Sequence, residues 1–210
     1  RQFGLAVDNV HAPYGNTNAL WEDGIEGEAY LQTLLSCIGD CSLHGIPTSV
    51  VHITRLSIRS EVTRIGMDRV KRLVEFAEQK QVNLAIENLN SIPHLDRIYA
   101  ELSSERLGFC YDSGHEHFIH PNADCLSRYG NKLFAVHLHD NCGDSDAHLL
   151  PYDGTIEWDA VRTKLKACRE IPYLTLEVDF KREHPKSALY RGLSAAEFLA
   201  LAYARLQLLA

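Results

Sequence analysis

Short apolar segments alternate with amphipathic stretches along most of the chain. Segments such as SVVHIT, LAIEN, FAVHLHD and LTLEV are apolar at consecutive positions, which is typical of parallel strands that are covered on both faces. Apolar residues at helical spacing predict helices over 27–44, 67–81, 95–102, 123–129 and 158–169. Ser194 and Glu197 form a capping-box pattern, which predicts a last helix from there to the C-terminus. This alternation predicts a parallel α/β sheet with helical crossovers.

Imidazoles and carboxylates stand at the ends of the predicted strands or in one adjoining loop. In a βα barrel the carboxyl ends of the strands form the catalytic face. An open, flavodoxin-like sheet would gather its site from two or three strands, whereas here all six predicted strands contribute, which favours a barrel. The nine candidates are His11, His52, Glu87, Asp112, His115, His137, Asp146, His148 and Glu177.

The predicted fold class is therefore a parallel (β/α) TIM-type barrel forming one domain over residues 1–210. A closed barrel needs eight strands, and only six are visible in the sequence, so we expect that the first two βα units are absent. Sheet edges left uncovered in this way would pair with another chain, and we expect a homo-oligomer.

Composition narrows the class of protein. The net charge of −7 argues against a nucleic-acid surface, so we expect no nucleic-acid partner. No apolar run approaches the roughly 20 residues that span a bilayer, and we expect neither a membrane contact nor a signal peptide. Six cysteines without a CxxC pair fit thiols in a reducing compartment, which predicts a cytoplasmic protein.

Four of the candidates come from successive strands: Glu87, Asp112, His137 and Glu177. Neighbouring barrel strands would direct such side chains at one central ion, and mixed carboxylate and imidazole ligation suits Mn, Zn, Co or Mg without choosing among them. We therefore predict a divalent metal cofactor held by these four residues, with His11, His52, His115, Asp146 and His148 as further metal or substrate ligands.

The segments LAIEN, CYDSGH, VHLHD, DAHLLPYDGTIEWD and LTLEV, in this order, resemble the xylose isomerase-like TIM barrels. The resemblance implies a metal-dependent isomerase or epimerase acting on a small-molecule sugar or sugar phosphate. The reaction would pass through an enediolate, with Glu87 and Glu177 as the paired catalytic glutamates that remove and return the carbon-bound proton.

The same family contains an endonuclease IV-like branch with three zinc ions and nine ligands, and all nine candidates match that pattern. A trinuclear zinc phosphodiesterase is therefore the alternative function, and a non-catalytic metal-binding remnant is a further one. The acidic net charge and the scattered basic residues favour the isomerase or epimerase.

Three secondary predictions concern single residues. Trp21 is expected to form a lid over the substrate, and Tyr152 to line the sugar pocket. His139 is left outside the ligand set, because Asp140 is expected to fix its ring. Lys181 and Arg182 are the basic pair closest to a strand end and are candidates for holding a phosphate.

Overall fold

The structure of the protein, a computed structural model, describes residues 4–180 and 185–209. The chain divides into two compact units, Arg1–Cys110 and Tyr111–Ala210, called the N-terminal and the C-terminal unit below. The predicted single domain stays a prediction, and Lys181 and Arg182 lie outside the described residues.

Six strands follow one another in the sheet in their order along the chain, and each described ladder between neighbouring strands is parallel. This confirms the predicted parallel α/β architecture of the TIM type with six strands. The strands are β1 (Asn9–His11), β2 (Thr48–Val51), β3 (Asn83–Glu87), β4 (Leu107–Asp112), β5 (Leu133–Leu138) and β6 (Thr175–Leu176).

Helices connect the strands, as the alternation predicts. The α-helices are α1 (Ile25–His44), α2 (Arg64–Lys80), α3 (Ile92–Glu101), α4 (Ser113–Ile119), α5 (Cys125–Tyr129), α6 (Trp158–Leu165) and α7 (Ala195–Gln207). Short 3-10 helices occupy Thr17–Trp21, Gly130–Lys132 and Pro185–Tyr190.

Local chemistry explains where several of these helices begin and end. Gly45 ends α1 in the left-handed conformation, at φ 69°, and its N–H closes the last turn. Ser194 and Glu197 form the expected capping box of α7. The carboxylate of Asp112 caps α4 by accepting from the backbone N–H of His115 at 2.6 Å, so His115 lies on a helix and not in the predicted strand.

Apolar packing covers both faces of the central strands. Every residue of β2, β4 and β5 is buried, which agrees with their continuous apolar sequence. In the C-terminal unit the loop after β5 contributes to a second core, in which Ala147, Leu149 and Leu150 pack with Tyr190 and Phe198. This packing anchors the loop that carries Asp146 and His148.

Candidate metal centre

The N-terminal unit brings together His11, His52 and Glu87 at the ends of β1, β2 and β3. The two Nε2 atoms lie 3.0 Å apart, and Oε2 of Glu87 lies 3.3 Å from each of them. Ligand atoms held about 2.0–2.1 Å from one ion are about 3.0–3.4 Å from one another. The three atoms therefore have the mutual spacing of ligands on one face of a coordination shell.

Backbone contacts orient these two imidazoles. The Nδ1–H of His11 donates to the carbonyl of Ala12 at 2.8 Å, which leaves Nε2 as the nitrogen that faces Glu87. The hydroxyl of Tyr30 donates to the carbonyl of His52 at 2.8 Å and fixes the backbone there. The side chain of Glu87 is 1% exposed, so its carboxylate depends on nearby polar groups for compensation.

The C-terminal unit pairs His137 with Glu177 at the ends of β5 and β6. Nδ1 of His137 lies 3.0 Å from Oε2 of Glu177. The side chain of Glu177 is 37% exposed, although Oε2 itself is buried beside His137. Its backbone carbonyl accepts from Nδ1–H of His148 at 2.8 Å, and this bond ties the β6 end to the loop after β5.

A larger group of ligand atoms surrounds Asp112 and Asp146 in the same unit. Nδ1 of His115 lies 3.6 Å from Oδ1 of Asp112, and Nε2 of His115 lies 3.9 Å from Oδ1 of Asp146. Nε2 of His148 is 3.1 Å from Oδ2 of Asp146. The predicted candidates of the loop and of α4 thus belong to one cluster.

His139 lies inside this cluster, although the sequence prediction left it out. Its Nε2 is 3.1 Å from Oδ1 of Asp112, and its ring stacks on that of His148 with the centroids 4.1 Å apart. Asp140 does not fix this ring, because its carboxylate accepts from backbone N–H groups and from the indole of Trp158. The signal available in the sequence was the spacing of His137 and His139, which places two imidazoles on one face of a strand.

Asp146 and His148 shift the pKa of one another. Burial alone would raise the pKa of Asp146, but the hydrogen bond with His148 and the neighbouring imidazoles outweigh it, and the pKa is lowered. Burial likewise opposes the charged form of His148, but the hydrogen bond to Asp146 and its charge prevail and raise the pKa of the imidazole. Each of the two groups therefore favours the charged form of the other.

The donor set fits a divalent cation. Carboxylate oxygens and imidazole nitrogens are ligands that Zn, Co and Mn accept together. Within the C-terminal unit two groups have ligand atoms within 4.8 Å of one another: Asp112, His115 and His139, and His139, His148 and Glu177. The prediction that Glu87, Asp112, His137 and Glu177 share one ion stays a prediction.

Trp21 lies in the core of the N-terminal unit, and its expected role as a lid stays a prediction. Its side chain is 2% exposed, and its indole N–H donates to the carbonyl of Ile53 at 2.6 Å. The guanidinium of Arg69 holds the same segment by donating to the carbonyls of Leu20 and Glu22. The ring lies against His94 and the Cα of Gly66, where a Cβ would meet it. Trp21 is therefore a core residue, because the polar edge of the indole finds a buried acceptor.

Tyr152 lies in the turn of PYDG at φ 74°, with 36% of its side chain exposed. Its ring is 6.0 Å from that of Trp158, and the guanidinium of Arg205 lies 5.8 Å from its centroid. These contacts stabilise the turn. The role of Tyr152 in lining a sugar pocket stays a prediction.

The chain belongs to the xylose isomerase-like TIM barrel family, whose family model matches residues 1–196. It is 37% identical to the uncharacterized protein y4fM of Sinorhizobium fredii over 111 residues, which are 50% of this chain and 36% of that protein. It is 28% identical to the uncharacterized protein MJ1311 of Methanocaldococcus jannaschii over 178 residues, which are 75% of this chain and 59% of that protein. The chain thus spans between about a third and three fifths of the length of these curated relatives.

Solved structures of similar fold include sugar-processing proteins and a zinc-bound protein. The crystal structure of a D-tagatose 3-epimerase-like protein matches with a TM-score of 0.70 at 21% identity, covering 98% of this chain and 82% of that one. The IolI protein with a bound zinc atom matches with a TM-score of 0.72 at 18% identity, covering 96% and 75%. L-ribulose 3-epimerase matches with a TM-score of 0.66 at 17% identity, covering 100% and 80%. At these identities the likeness establishes the fold.

Within the part of the chain that the structure describes, no helix has both the length and the apolar character needed to cross a bilayer.

Proposed function

We propose that this chain carries the metal site of a sugar or sugar-phosphate isomerase or epimerase. The observation that carries the proposal is the pair formed by Glu177 and His137, whose Oε2 and Nδ1 atoms are 3.0 Å apart at the ends of β5 and β6. A carboxylate on a partly exposed side chain, with a buried imidazole beside it, offers one oxygen as a metal ligand and the other as a base for the substrate.

Family membership and the neighbouring structures support this proposal. Sugar 3-epimerases recur among the structures with the same fold, and one neighbour holds a zinc atom. The residues of this chain fit such an ion, because each unit by itself holds carboxylates and imidazoles at ligand spacing. When bound, a divalent cation would polarise the carbonyl of an α-hydroxycarbonyl sugar and acidify the neighbouring carbon-bound proton.

The two glutamates predicted to exchange that proton differ in exposure. Glu177 is 37% exposed, and Glu87 is 1% exposed. We therefore propose that Glu177 removes the proton and that Glu87 returns it. Nδ1–H of His148 donates to the backbone carbonyl of Glu177 at 2.8 Å. This bond fixes the backbone from which the Glu177 side chain extends.

The first test is Glu177→Gln, which keeps the size of the side chain and its backbone contact with His148. We expect the variant to lose the bound ion that elemental analysis finds in the parent chain, and to lose all turnover with it. Glu170→Gln is the matched control, because Glu170 is an exposed carboxylate of the same unit. Full metal content and full activity in the Glu177 variant would overturn the proposal.

The reaction class is tested by proton exchange. A panel of ketoses and ketose phosphates is incubated with the metal-loaded protein in D₂O and followed by NMR. We expect deuterium to appear at the carbon next to the carbonyl of one substrate, because proton removal and return pass through the solvent. An epimerase would also invert that carbon, and an isomerase would move the carbonyl.

A phosphodiesterase is the second candidate function, and one observation favours it. The N-terminal group of two imidazoles and one carboxylate lies at ligand spacing, as a further ion of a polynuclear cluster would require. Nicking of a duplex with a single abasic site, assayed with the zinc-loaded protein, tests this candidate. The net charge of −7 favours the sugar substrate over DNA.

A further inference from the structure

The imidazole of His139 is fully buried, yet its ring lacks the hydrogen bonds that such a group normally makes. The residue is 0% exposed. Among the described residues, neither Nδ1 nor Nε2 has a hydrogen-bond partner. An imidazole buried in this way costs free energy unless something else satisfies a ring nitrogen.

The backbone of His139 is satisfied, so the deficiency lies in the ring alone. The hydroxyl of Ser113 accepts from the His139 N–H at 3.0 Å, and it lies 2.8 Å from the carbonyl of the same residue. These contacts hold the residue at the end of β5 and aim the ring at the cluster. The position of the ring is thus enforced by the fold.

Two carboxylates face the edge of the ring. Nε2 of His139 is 3.1 Å from Oδ1 of Asp112 and 3.6 Å from Oδ1 of Asp146, at angles that do not make hydrogen bonds. A ring nitrogen of His115 also lies near each carboxylate, 3.6 Å from Asp112 and 3.9 Å from Asp146. Two imidazoles therefore converge on the same pair of acidic groups.

Gly114 makes room for this arrangement. A Cβ built on Gly114 would lie 1.9 Å from Cε1 of His139, so any side chain at position 114 would displace the ring. The glycine of CYDSGH thus lets the imidazole approach the start of α4 closely.

We propose that His139 is itself a metal ligand, binding a second divalent cation together with Asp112 and His115. The ligand atoms of these three residues all lie within 4.8 Å of one another. Oδ1 of Asp146 lies 3.9 Å from His115 and 3.6 Å from His139, and Asp146 would be a further ligand of this ion. Two imidazole nitrogens favour Zn or Co at this position over Mg or Ca. This inference rests on the proposed function only in requiring that the chain binds metal.

The test compares metal content in matched variants. The parent chain, His139→Gln and His117→Gln are stripped with a chelator, reloaded with zinc, desalted and measured by elemental analysis. His117 is the control because its Nε2 contacts the hydroxyl of Thr155 at 2.9 Å on the partly exposed side of α4. We expect His139→Gln to retain one ion fewer per chain than both the parent and His117→Gln.

Cobalt spectroscopy supplies a readout that does not depend on activity. Each imidazole bound to Co²⁺ through one nitrogen gives a strongly shifted exchangeable N–H resonance in the NMR spectrum. We expect His139→Gln to lose one such resonance and His117→Gln to lose none. Gly114→Ala leaves every ligand in the sequence but displaces the ring, so it should lose the same resonance.

The outcomes separate this inference from the proposed function. If the parent binds metal and His139→Gln binds as many ions with the same cobalt spectrum, the inference is overturned and the proposed function stands. If the reloaded parent binds no metal, both fail. Circular dichroism of His139→Gln and Gly114→Ala verifies folding, and loss of the resonance in a folded Gly114→Ala protein supports the inference even where His139→Gln does not fold.

Discussion

Two histidines show how single hydrogen bonds prepare a ligand. His11 and His148 each use Nδ1–H to reach a backbone carbonyl at 2.8 Å, so in both residues Nε2 is turned toward a carboxylate. A ring whose outer nitrogen is fixed loses less conformational freedom when it binds an ion. The two units thus present imidazoles prepared in the same way.

His94 gives a prediction for the pH dependence of stability. Burial lowers its pKa to about 4, whereas an unfolded histidine titrates near 6.5. Between these values the unfolded chain binds more protons, so stability falls as the pH falls from 7.5 toward 4. By linkage we expect the parent to lose about 2 kcal/mol more than His94→Gln between pH 7.5 and 5.

Urea unfolding at the two pH values measures this difference. His44→Gln is the control, because it removes an exposed histidine from the same unit. Equal losses in the parent and in His94→Gln would show that the folded chain protonates His94 as readily as the unfolded chain does.

At the residue scale, the sequence was a better guide to which residues carry chemistry than to the contacts that these residues make. The spacing of acids and histidines after apolar runs was enough to select His11, His52 and Glu87, which the structure brings together. The burial of Trp21 could not be predicted, because the sequence does not reveal that Ile53 offers a buried carbonyl to its indole. The position of His139 beside Asp112 could not be predicted either, since its expected partner Asp140 makes other bonds.

Among the elements, the loop after β5 depends on one carboxylate. Asp140 accepts from the N–H groups of Tyr152 and Ile156 at 3.0 and 3.2 Å and from the indole of Trp158 at 2.7 Å. Asp140→Ala would leave one buried and two partly buried donors unsatisfied, and we expect a loss of about 3 kcal/mol in the free energy of unfolding. Faster amide exchange over residues 141–157 should accompany it.

Asp140→Asn is the matched control, because its side-chain oxygen keeps one acceptor. We expect roughly half of the destabilisation in this variant. If exchange in 141–157 stayed as slow in Asp140→Ala as in the parent, the loop would owe its order to the apolar packing of Leu149 and Leu150 instead.

Elements with strong local signals were predictable, and those set by tertiary contacts were not. The Gly45 end of α1 and the capping box of α7 follow from short motifs. In contrast, β6 is confined to Thr175–Leu176, although LTLEV predicts a longer strand, and Glu177 follows it directly. The left-handed turn at Tyr152 also carries no sequence signal, because φ 74° is a conformation usually left to glycine.

For the whole molecule, periodicity alone indicated the parallel α/β fold, since repeated βα units leave few topologies. The substrate could not be predicted in the same way, because the loops that bind a sugar have no periodic sequence pattern. What the fold does determine is where charge accumulates. Carboxylates and imidazoles gather in both units while the net charge stays at −7, which makes added cations a source of stability.

Metal removal should therefore lower the thermal stability of the chain. An ion that binds only the folded state, present at about 100 times its Kd, adds about 2.7 kcal/mol, or roughly 5–10 °C in Tm for a chain of this size. We expect that shift between chelator-treated and zinc-reloaded protein in a thermal melt.

Glu87→Gln should reduce the shift in Tm, because the Glu87 carboxylate lies 3.3 Å from Nε2 of both His11 and His52. Since each variant is compared with its own metal-free form, any change in intrinsic stability cancels. A shift equal to that of the parent would mean that His11, His52 and Glu87 bind no ion, and that the stabilising cation belongs to the C-terminal unit.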